Sequence, residues 1–344
     1  MNPADAIDLS RVAAWMDETG LPSGPISNAV ELTGGTQNLL LAFDKGGQRF
    51  VLRQPPLHSV AGGDQTTRRE VRVLGALART DVPHARLVAA CWDPKVSGAA
   101  FFLMEAIDGF NVGVGMPALH AGDPRIRRRM GLSIVEALAA IGRVDHVAVD
   151  LADFGKPQGF LERQVERWRA QFEDYSRYDG WPGPSGLPGV DIIGRWLDDH
   201  RPAGFKPGLM HGDFHIKNVL YRHGSGDLAA VIDWELATIG DPMVDLGWLL
   251  ATWPGHNGDY TVAQIEPWDG FPSGEELIAH YAALTGRDMR SVLWYQVFAC
   301  YKLALILEGT FARACAGKAP RETGERLHGN ALRLLARAER WLQA

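Results

Sequence analysis

The sequence is poor in cysteine and has no concentration of positive charge. Its 344 residues include three cysteines, which are far apart and form no CxxC pair: Cys91, Cys300 and Cys315. This usage is typical of a reducing compartment and excludes a zinc site built from cysteines. The formal net charge is −6, without a basic cluster or stripe. We therefore expect no general affinity for nucleic acids.

Signals for secretion and for membrane insertion are missing as well. The first eight residues contain neither the basic region nor the apolar region of a secretion signal. The most apolar run, Val292 to Leu307, has sixteen residues and includes Gln296 and Lys302. A run of this length and polarity predicts a core helix. We expect a cytoplasmic protein without a membrane partner, and the sequence does not indicate an oligomeric state.

The sequence also lacks the usual glycine-rich phosphate loops, because neither GxGxxG nor a Walker A motif occurs in it. A weaker candidate is Gly34-Gly35-Thr36, which lies between two strand-like runs. Backbone N–H groups in such a loop can bind phosphate oxygens. A simple tight turn between strands is the alternative interpretation, and the sequence leaves both open.

The pattern of apolar residues predicts an α+β fold in two lobes. Short strand-like runs and two helices fill a small N-lobe, residues 1–106, which should bind the nucleotide. Long helical patterns follow in a larger C-lobe, residues 107–344, after a hinge near 104–108. The predicted strands are 28–33, 38–43, 49–54, 85–92 and 99–105. The predicted helices are 9–20, 67–79, 124–143, 158–176, 190–200, 275–286, 291–316 and 325–343.

One segment of the predicted C-lobe carries most of the chemical information. It reads His211-Gly-Asp213-Phe-His-Ile-Lys217-Asn218, and Ile232-Asp233-Trp-Glu235 follows it. Two apolar runs between these parts flank a Gly-Ser-Gly-Asp turn and predict a β-hairpin. Facing residue numbers should sum to about 451, which places Asn218 opposite Asp233. Facing side chains lie about 5 Å apart at Cβ, so these two could share one cation.

These residue types suit phosphoryl transfer. An aspartate can accept a hydroxyl proton, while an asparagine and a second aspartate can hold Mg²⁺ against a triphosphate. Asp213 precedes the hairpin in a loop and is our candidate base. Asn218 and Asp233 are the candidate metal ligands. The alternative is that Asp213 and Asn218 are turn-forming residues bonded to their own backbone.

Arg53 and Glu70 form a second candidate pair in the N-lobe. Arg53 alternates with buried positions on a predicted central strand, and Glu70 follows seventeen residues later. Arg53 is either a solvated arginine on an edge strand or a phosphate-binding cation held by Glu70. Glu70 also matches the fourth position of a capping box that starts at Thr67. The two roles of Glu70 are compatible.

Several of these motifs together resemble those of the aminoglycoside phosphotransferase family, relatives of choline kinases with a protein-kinase-like fold. Within that family, the chain is most similar to the branch that includes the kinase-like domain of certain acyl-CoA dehydrogenases. The similarity covers essentially the whole chain. It rests on Val51-Leu-Arg-Gln-Pro-Pro56, Arg69-Glu-Val-Arg-Val-Leu74, Phe102-Leu-Met-Glu105, the segment around Asp213, and Val231 to Trp248.

The resemblance implies roles for further residues. ATP would be the co-substrate, and Glu105 and Ile107 would pair with its adenine through backbone groups. Asp245 would brace the catalytic loop, and His211 would orient it. The sequence itself does not distinguish ATP from GTP.

Two positions depart from the family pattern. Arg53 stands where aminoglycoside-modifying members have lysine, and a rigid guanidinium fork binds phosphate differently from an ammonium point charge. The residues after Asp213 also differ and include Lys217. Lys217 either neutralises the γ-phosphate during transfer or is a solvated loop residue.

The charge of the C-terminal region points to the kind of acceptor. Residues 283–344 contain ten Lys or Arg and five Asp or Glu, so the remainder carries about −11. A basic region would repel polycationic antibiotics. We expect a small-molecule hydroxyl substrate that is anionic, such as a hydroxyacyl-CoA or hydroxy acid. Lys302 and Glu235 are candidate substrate contacts, although Lys302 could instead extend to the surface.

Other functions remain as alternatives at this stage. An aminoglycoside or amino-alcohol kinase would use the same motifs. A catalytically weak nucleotide-binding or scaffold protein would keep the fold without the activity. Metal-dependent phosphoester hydrolysis is disfavoured, because Gly212-Asp213-x-His215 is not followed by GNH[DE]. A protein kinase is disfavoured because no long activation segment follows Asp233.

Overall fold

The computed structural model describes residues 7–32, 38–55, 63–255 and 264–343. The first part is built on a five-stranded antiparallel sheet with the order β1-β2-β3-β5-β4. Its strands are β1 Ser27–Glu31, β2 Leu39–Lys45, β3 Gln48–Gln54, β4 Leu87–Cys91 and β5 Phe101–Glu105, and the accompanying helices are α1 Leu9–Glu18, α2 Gly63–Leu77 and α3 Pro94–Ser97. All five predicted strands are therefore confirmed.

Helix α1 covers one face of this sheet. Val12 and Met16 of α1 are fully buried and pack into the same apolar cluster as Phe43, Phe50 and Phe101. The opposite face of the sheet faces α2. Arg53 is buried there, near the end of the central strand β3. The sheet therefore carries a buried cation next to a helix.

Helix α2 starts four residues earlier than the sequence predicts. Thr67 lies inside the helix, where its hydroxyl donates to the carbonyl of Gly63 at 3.0 Å. A threonine inside a helix commonly bonds the residue four positions before it. The predicted capping box at Thr67 is therefore wrong. Glu70 is an interior helical residue, and its carboxylate is available to a partner outside α2.

The second part of the chain is mostly helical. Two short antiparallel pairs lie among the helices: β6 Gly208–Met210 with β9 Thr238–Gly240, and β7 Val219–Tyr221 with β8 Leu228–Val231. The helices are α4 Ala118–Gly122, α5 Pro124–Arg143, α6 Gln164–Glu173, α7 Val190–Asp199, α8 Met243–Thr252, α9 Gly274–Thr285, α10 Val292–Cys315 and α11 Arg321–Gln343. The predicted α+β architecture is confirmed, while the division at residue 106 stays a prediction.

Most of the predicted helices are present, with some corrections. The helix predicted for 158–176 is shorter, because residues 158–163 form turns and Asp174–Arg177 form a 3₁₀ helix. Helix α11 starts at Arg321, before the predicted residue 325. Helix α8 was not predicted. All ten of its residues are buried, so it shows no amphipathic period for a sequence pattern to reveal.

Helix α10 is the core of this part. Within the described residues it is the one helix long and apolar enough to cross a membrane by length and composition. However, 67% of its most apolar window is buried inside the protein, as in a core helix. It packs against α11 and α8. Helix α8 in turn carries Asp245 and Trp248 to the predicted catalytic loop.

Candidate active site

The hairpin β7–β8 has nearly the predicted register. Val219 pairs with Val231, so facing residue numbers sum to 450 and not 451. The N–H of Ile232 donates to the carbonyl of Asn218 at 3.0 Å. Asn218 is therefore opposite Ile232, one residue from the predicted partner Asp233. The difference arises because the turn is centred on Gly224 and Ser225 and a register shift follows it.

Asp213 and Asn218 are in direct contact. The amide nitrogen of Asn218 donates to Asp213 Oδ2 at 3.1 Å and to the Asp213 carbonyl at 2.9 Å. The indole N–H of Trp248 donates to Asp213 Oδ1 at 2.8 Å. His215 Nε2 lies 3.5 Å from Oδ2. Each carboxylate oxygen is therefore held by a donor, which fixes the orientation of the carboxylate.

These contacts keep Asp213 ionised. Burial alone would raise the pKa of the Asp213 carboxyl. The hydrogen bond and charge of His215 and the hydrogen bond from Trp248 outweigh it, and the pKa lies well below its usual range. The carboxylate is thus available to accept a hydrogen bond from a hydroxyl group.

Asp245 fixes the backbone of the loop that carries Asp213. Its two oxygens accept the backbone N–H groups of His211 at 2.6 Å and Gly212 at 3.0 Å. Its side chain is almost fully buried, and burial raises its pKa. Gly212 adopts a φ of +89°. An added Cβ there would collide with the carbonyl oxygen of Leu236, so the loop requires glycine.

The ring of His211 also serves the loop. Its Nε2 lies 2.8 Å from the carbonyl of Ile232, so this nitrogen carries the proton. Its Nδ1 accepts the backbone N–H of Asp213 at 3.3 Å. The imidazole thereby links the loop to the end of β8. This geometry agrees with the orienting position that the resemblance implies for His211.

Arg53 lies among three carboxylates. Its Nε is 2.8 Å from Glu70 Oε2, and its Nη2 is 2.7 Å from Asp233 Oδ1 and 3.1 Å from Glu235 Oε2. Asn38 donates to the same Glu235 oxygen at 2.8 Å. The Arg53 side chain is 9% exposed. The interpretation of Arg53 as a solvated edge-strand residue is therefore wrong, and its pairing with Glu70 is present.

Burial and the acidic surroundings raise the pKa of the Glu70 carboxyl. Its pKa rises to about 7, first because the carboxyl is buried and also because Asp233 and Glu235 repel its charge. Arg53 opposes this rise. One guanidinium thus faces three carboxylates, so the surroundings of Arg53 are rich in negative charge.

Lys302 is half-buried, and its ammonium group is directed inward. Its ammonium lies 4.5 Å from the ring centroid of Trp248 and 5.5 Å from that of Trp168. Burial lowers its pKa, while the carboxylates of Asp245 and Asp213 oppose this shift. The snorkelling alternative is therefore wrong. Lys302 places a cation behind the indole that donates to Asp213.

The remaining predicted site residues have the following positions. The stem of Lys217 lies beside Gly113, and its carbonyl accepts the Asn111 amide at 2.6 Å. Glu105 ends β5, pairs with Arg86 through its side chain and donates its N–H to the Arg86 carbonyl at 2.9 Å. Ile107 is half-buried two residues later. Gly34, Gly35 and Thr36 lie outside the described residues.

Sequence reasoning missed two residues that contact Asp213. Trp248 is one of several tryptophans in apolar surroundings, and nothing in its sequence position separates it from a core residue. His215 was noted as part of a phosphoesterase-like motif, whereas its imidazole contacts Asp213. The spacing of two residues to Asp213 was the signal that could have identified it.

Comparisons with known proteins agree with this geometry. The sequence model of the phosphotransferase enzyme family matches residues 28–294. A solved structure from Ralstonia eutropha, a candidate aminoglycoside phosphotransferase, is 29% identical with a TM-score of 0.78 and covers 97% of this chain and 99% of its own. A mutant of aminoglycoside phosphotransferase APH(4)-Ia in complex with ADP and hygromycin B is 15% identical with a TM-score of 0.57, covers 94% and 97%, and shows the fold alone.

Curated relatives are much longer proteins. Mouse acyl-CoA dehydrogenase family member 10 is 28% identical over 306 residues, which are 83% of this chain and 27% of that protein. Human acyl-CoA dehydrogenase family member 11 is 28% identical over 289 residues, 82% of this chain and 36% of that protein. The chain thus spans about a third of the length of these relatives. Because the family model covers most of the chain, the protein belongs to the phosphotransferase enzyme family and is a phosphotransferase of the kinase class.

Proposed function

We propose that the protein transfers the γ-phosphoryl group of ATP to a hydroxyl group of a small molecule in a Mg²⁺-dependent reaction. The observation that carries this proposal is the contact between Asp213 and Asn218 at the open end of the hairpin, the same end at which the second strand leads to Asp233. Asp233 in turn is bonded to the buried cation Arg53. A base, two oxygen ligands and a phosphate-binding cation thus form one connected group.

Asp213 would act on the acceptor. Its carboxylate is ionised and oriented by Trp248 and Asn218. It would accept the hydrogen bond of the acceptor hydroxyl and take its proton as the oxygen attacks the γ-phosphorus. In-line positioning and charge compensation supply most of the acceleration in such reactions. His211 and Asp245 would hold the loop and need not contact the substrates.

The nucleotide side fits a divalent cation. Asn218 uses its amide nitrogen for Asp213, so its amide oxygen remains as a ligand, and Asp233 has a second carboxylate oxygen beside the one that Arg53 contacts. Among the described residues no cluster of three or more metal-binding side chains occurs. Mg²⁺ is usually held by one or two protein ligands with phosphates and water. When bound, Mg²⁺ would offset charge on the phosphates.

The other predicted residues complete the nucleotide site in this proposal. Arg53, held by Glu70, would bind phosphate oxygens, and Lys217 would neutralise the γ-phosphate. Glu105 and Ile107 would bind adenine through backbone groups. The loop of Gly34, Gly35 and Thr36 would cover the phosphates. The three cysteines are free thiols, which suits the cytoplasmic location that we propose.

The acceptor in this proposal is an anionic alcohol, such as a hydroxyacyl-CoA or a hydroxy acid. Two features support this choice: Lys302 contacts the indole of Trp248, which donates to Asp213, and residues 283–344 carry more basic than acidic residues. An aminoglycoside is the second candidate, because a structural neighbour was solved with hygromycin B. A polycation would have to approach Asp213 against the charge of Lys302, which favours the anion.

An acceptor screen with purified protein tests this function. ATP consumption is measured with hydroxyacyl-CoAs, hydroxy acids, amino alcohols, sugars and aminoglycosides. Asp213→Ala should lower kcat by a factor of about 10² to 10⁴ while ATP still binds, because general-base catalysis contributes on that order. The control is Asp198→Ala, an exposed carboxylate on α7. Unchanged turnover in Asp213→Ala would refute the base role, and a preference for aminoglycosides would refute the anionic acceptor. Phosphate transfer at background level to every acceptor would favour the scaffold alternative.

A further inference from the structure

A groove with an unusual lining lies between α2, α6 and the segment 235–239. Its volume is about 730 Å³, which is in the usual range for sites of small molecules and cofactors. Phe160, Leu236 and Ile239 contribute apolar surface. Leu236 is 57% exposed although it is a large apolar residue. The groove therefore offers an apolar surface that an acyl chain could cover.

The charged side chains of the groove are mostly cations. Lys156, Arg163, Arg167 and Arg69 line it, against the carboxylates of Glu166 and Glu235. Glu235 is hydrogen-bonded to Asn38 and to Arg53, the guanidinium that it shares with Glu70 and Asp233. With respect to the described residues, none of the four cations forms an ion pair within 4.0 Å. The groove thus has an excess of positive charge in a protein of net charge −6.

Several of these cations are already held in place. Arg69 donates to the carbonyls of Phe154 at 3.3 Å and Ala237 at 3.2 Å. Arg163 donates to the carbonyl of Lys156 at 2.8 Å. Bonds to neutral carbonyls fix a guanidinium without neutralising its charge. An anion that enters the groove would therefore meet guanidinium groups that are already ordered. Little conformational entropy would be lost in positioning them.

Two series of contacts connect the groove to Asp213. The carbonyl of Leu236 packs against Gly212, the residue before Asp213. On the α6 side, the guanidinium of Arg167 lies 5.3 Å from the ring of Trp168, which also contacts Lys302. Lys302 contacts Trp248, whose indole donates to Asp213. A molecule in the groove could therefore extend a hydroxyl group toward the base.

We propose that this groove binds the phosphate-bearing carrier of the acceptor, so that the acceptor is a hydroxyacyl chain attached to an organic polyphosphate. This inference rests on the proposed function and narrows its substrate class from anionic alcohols in general. A single carboxylate would compensate one of the cations, whereas several phosphates spread along the groove would compensate more of them. Arginine forks match phosphate geometry especially well. The apolar lining would take the acyl chain between the phosphates and Asp213.

Binding of butyryl-CoA, which has no hydroxyl to phosphorylate, tests the groove without the reaction. Calorimetry is performed on the full chain without ATP, at low and at moderate salt. The double variant Lys156→Glu/Arg167→Glu should raise Kd about tenfold or more and reduce the salt dependence of binding. The matched control is Arg195→Glu, an exposed arginine on α7 outside the groove. Unchanged ATP affinity and circular dichroism verify that the variants fold.

A kinetic series with a constant hydroxyl group completes the test. 1,3-Butanediol, 3-hydroxybutyrate and 3-hydroxybutyryl-CoA differ in the charge attached to the same short chain. The double variant should raise KM for the thioester and leave that of the diol unchanged. No binding of butyryl-CoA, or equal losses in Arg195→Glu, would overturn the groove assignment even if phosphate transfer occurs. Binding that depends on Lys156 and Arg167, without transfer by the wild type to any acceptor, would overturn the proposed function instead.

Discussion

Arg53 donates a hydrogen bond to Asp233 at 2.7 Å across 180 residues of sequence. The cation that we expect to bind phosphate thus contacts the carboxylate that we expect to bind Mg²⁺. The two roles are compatible with this contact, because Arg53 contacts one carboxylate oxygen of Asp233 and leaves the second for Mg²⁺. Arg53 also contacts Glu70 and Glu235, so its charge stays compensated when Asp233 binds the metal.

Asp233→Asn tests the metal role. The amide keeps the shape of the side chain but removes the charge that would bind Mg²⁺. We expect the affinity for Mg·ATP to fall about tenfold or more, which corresponds to about 1.4 kcal/mol or more. The affinity for ATP measured with EDTA should change less. Asp198→Asn on α7 serves as the control. Undiminished affinity for Mg·ATP in Asp233→Asn would contradict the assignment.

Lys302→Met tests the cation behind Asp213. Methionine fills a similar volume without the charge, which now opposes protonation of Asp213 and Asp245. We expect the pKa of Asp213 to rise, so the acid limb of the kcat profile should move to higher pH. KM for an anionic acceptor should rise more than KM for a neutral one. Lys302→Arg should restore much of the pH profile and of the KM for the anionic acceptor. If the role of Lys302 is purely structural, Lys302→Met will leave the pH profile unchanged.

Gly212→Ala tests the geometry of the catalytic loop. The φ of +89° and the carbonyl of Leu236 leave no room for a Cβ. We expect a loss of about 1–3 kcal/mol in the free energy of unfolding, since strained backbone conformations cost about this much, and a large fall in kcat. Gly224→Ala is the matched control, because no atom lies within 4 Å of the added Cβ. Normal kcat in Gly212→Ala would show that the loop tolerates another conformation.

Glu70→Gln tests the acidic surroundings of Arg53 through the pH dependence of stability. The pKa of Glu70 in the folded protein is raised from an ordinary 4.5 to about 7. Between these two pH values the folded state therefore binds more protons than the unfolded state. The contribution of Glu70 to the free energy of unfolding is complete below about pH 4.5 and is lost as the pH rises to about 7.

Urea unfolding of nucleotide-free protein measures this effect. The free energy of unfolding of the wild type relative to Glu70→Gln should decrease from pH 5 to pH 7.5, by up to about 3 kcal/mol. The other titrating groups are present in both proteins, so their effects on the free energy of unfolding cancel in this difference. A difference that increases with pH would mean that Arg53 keeps Glu70 ionised throughout.

Local patterns in the sequence predicted the strands and the long amphipathic helices, because alternation and capping are local properties. Ser273, for example, forms a capping box with Glu276 at the start of α9. Patterns failed where burial is complete, as in α8, or where a match was accidental, as at Thr67. The hairpin position of Asn218 was predicted within one residue, because turn chemistry limits the register.

Contacts between distant segments could not be predicted in this way. Nothing in the sequence joins Trp248 or Lys302 to Asp213, because these contacts depend on how α8 and α10 pack. The bonds from Arg53 to Asp233 and Glu235 likewise require the sheet and the hairpin to meet. The groove combines α2, α6 and a later segment. Three of its four cations lie within residues 156–167, where Glu162 and Glu166 among them obscure the excess of positive charge.

The hairpin β7–β8 is bonded to the segment before β4 and to the segment after β5, the two neighbouring strands at one edge of the small sheet. The N–H of Val231 donates to the carbonyl of Pro83 at 2.8 Å, and Phe110 and Tyr221 exchange two backbone hydrogen bonds of 2.9 Å each. Opening between the sheet and this hairpin would break these bonds. Movement of the helices around the groove would not. In the proposed reaction these bonds would keep Asn218 and Asp233 aligned with the sheet that carries Arg53 while acceptors exchange.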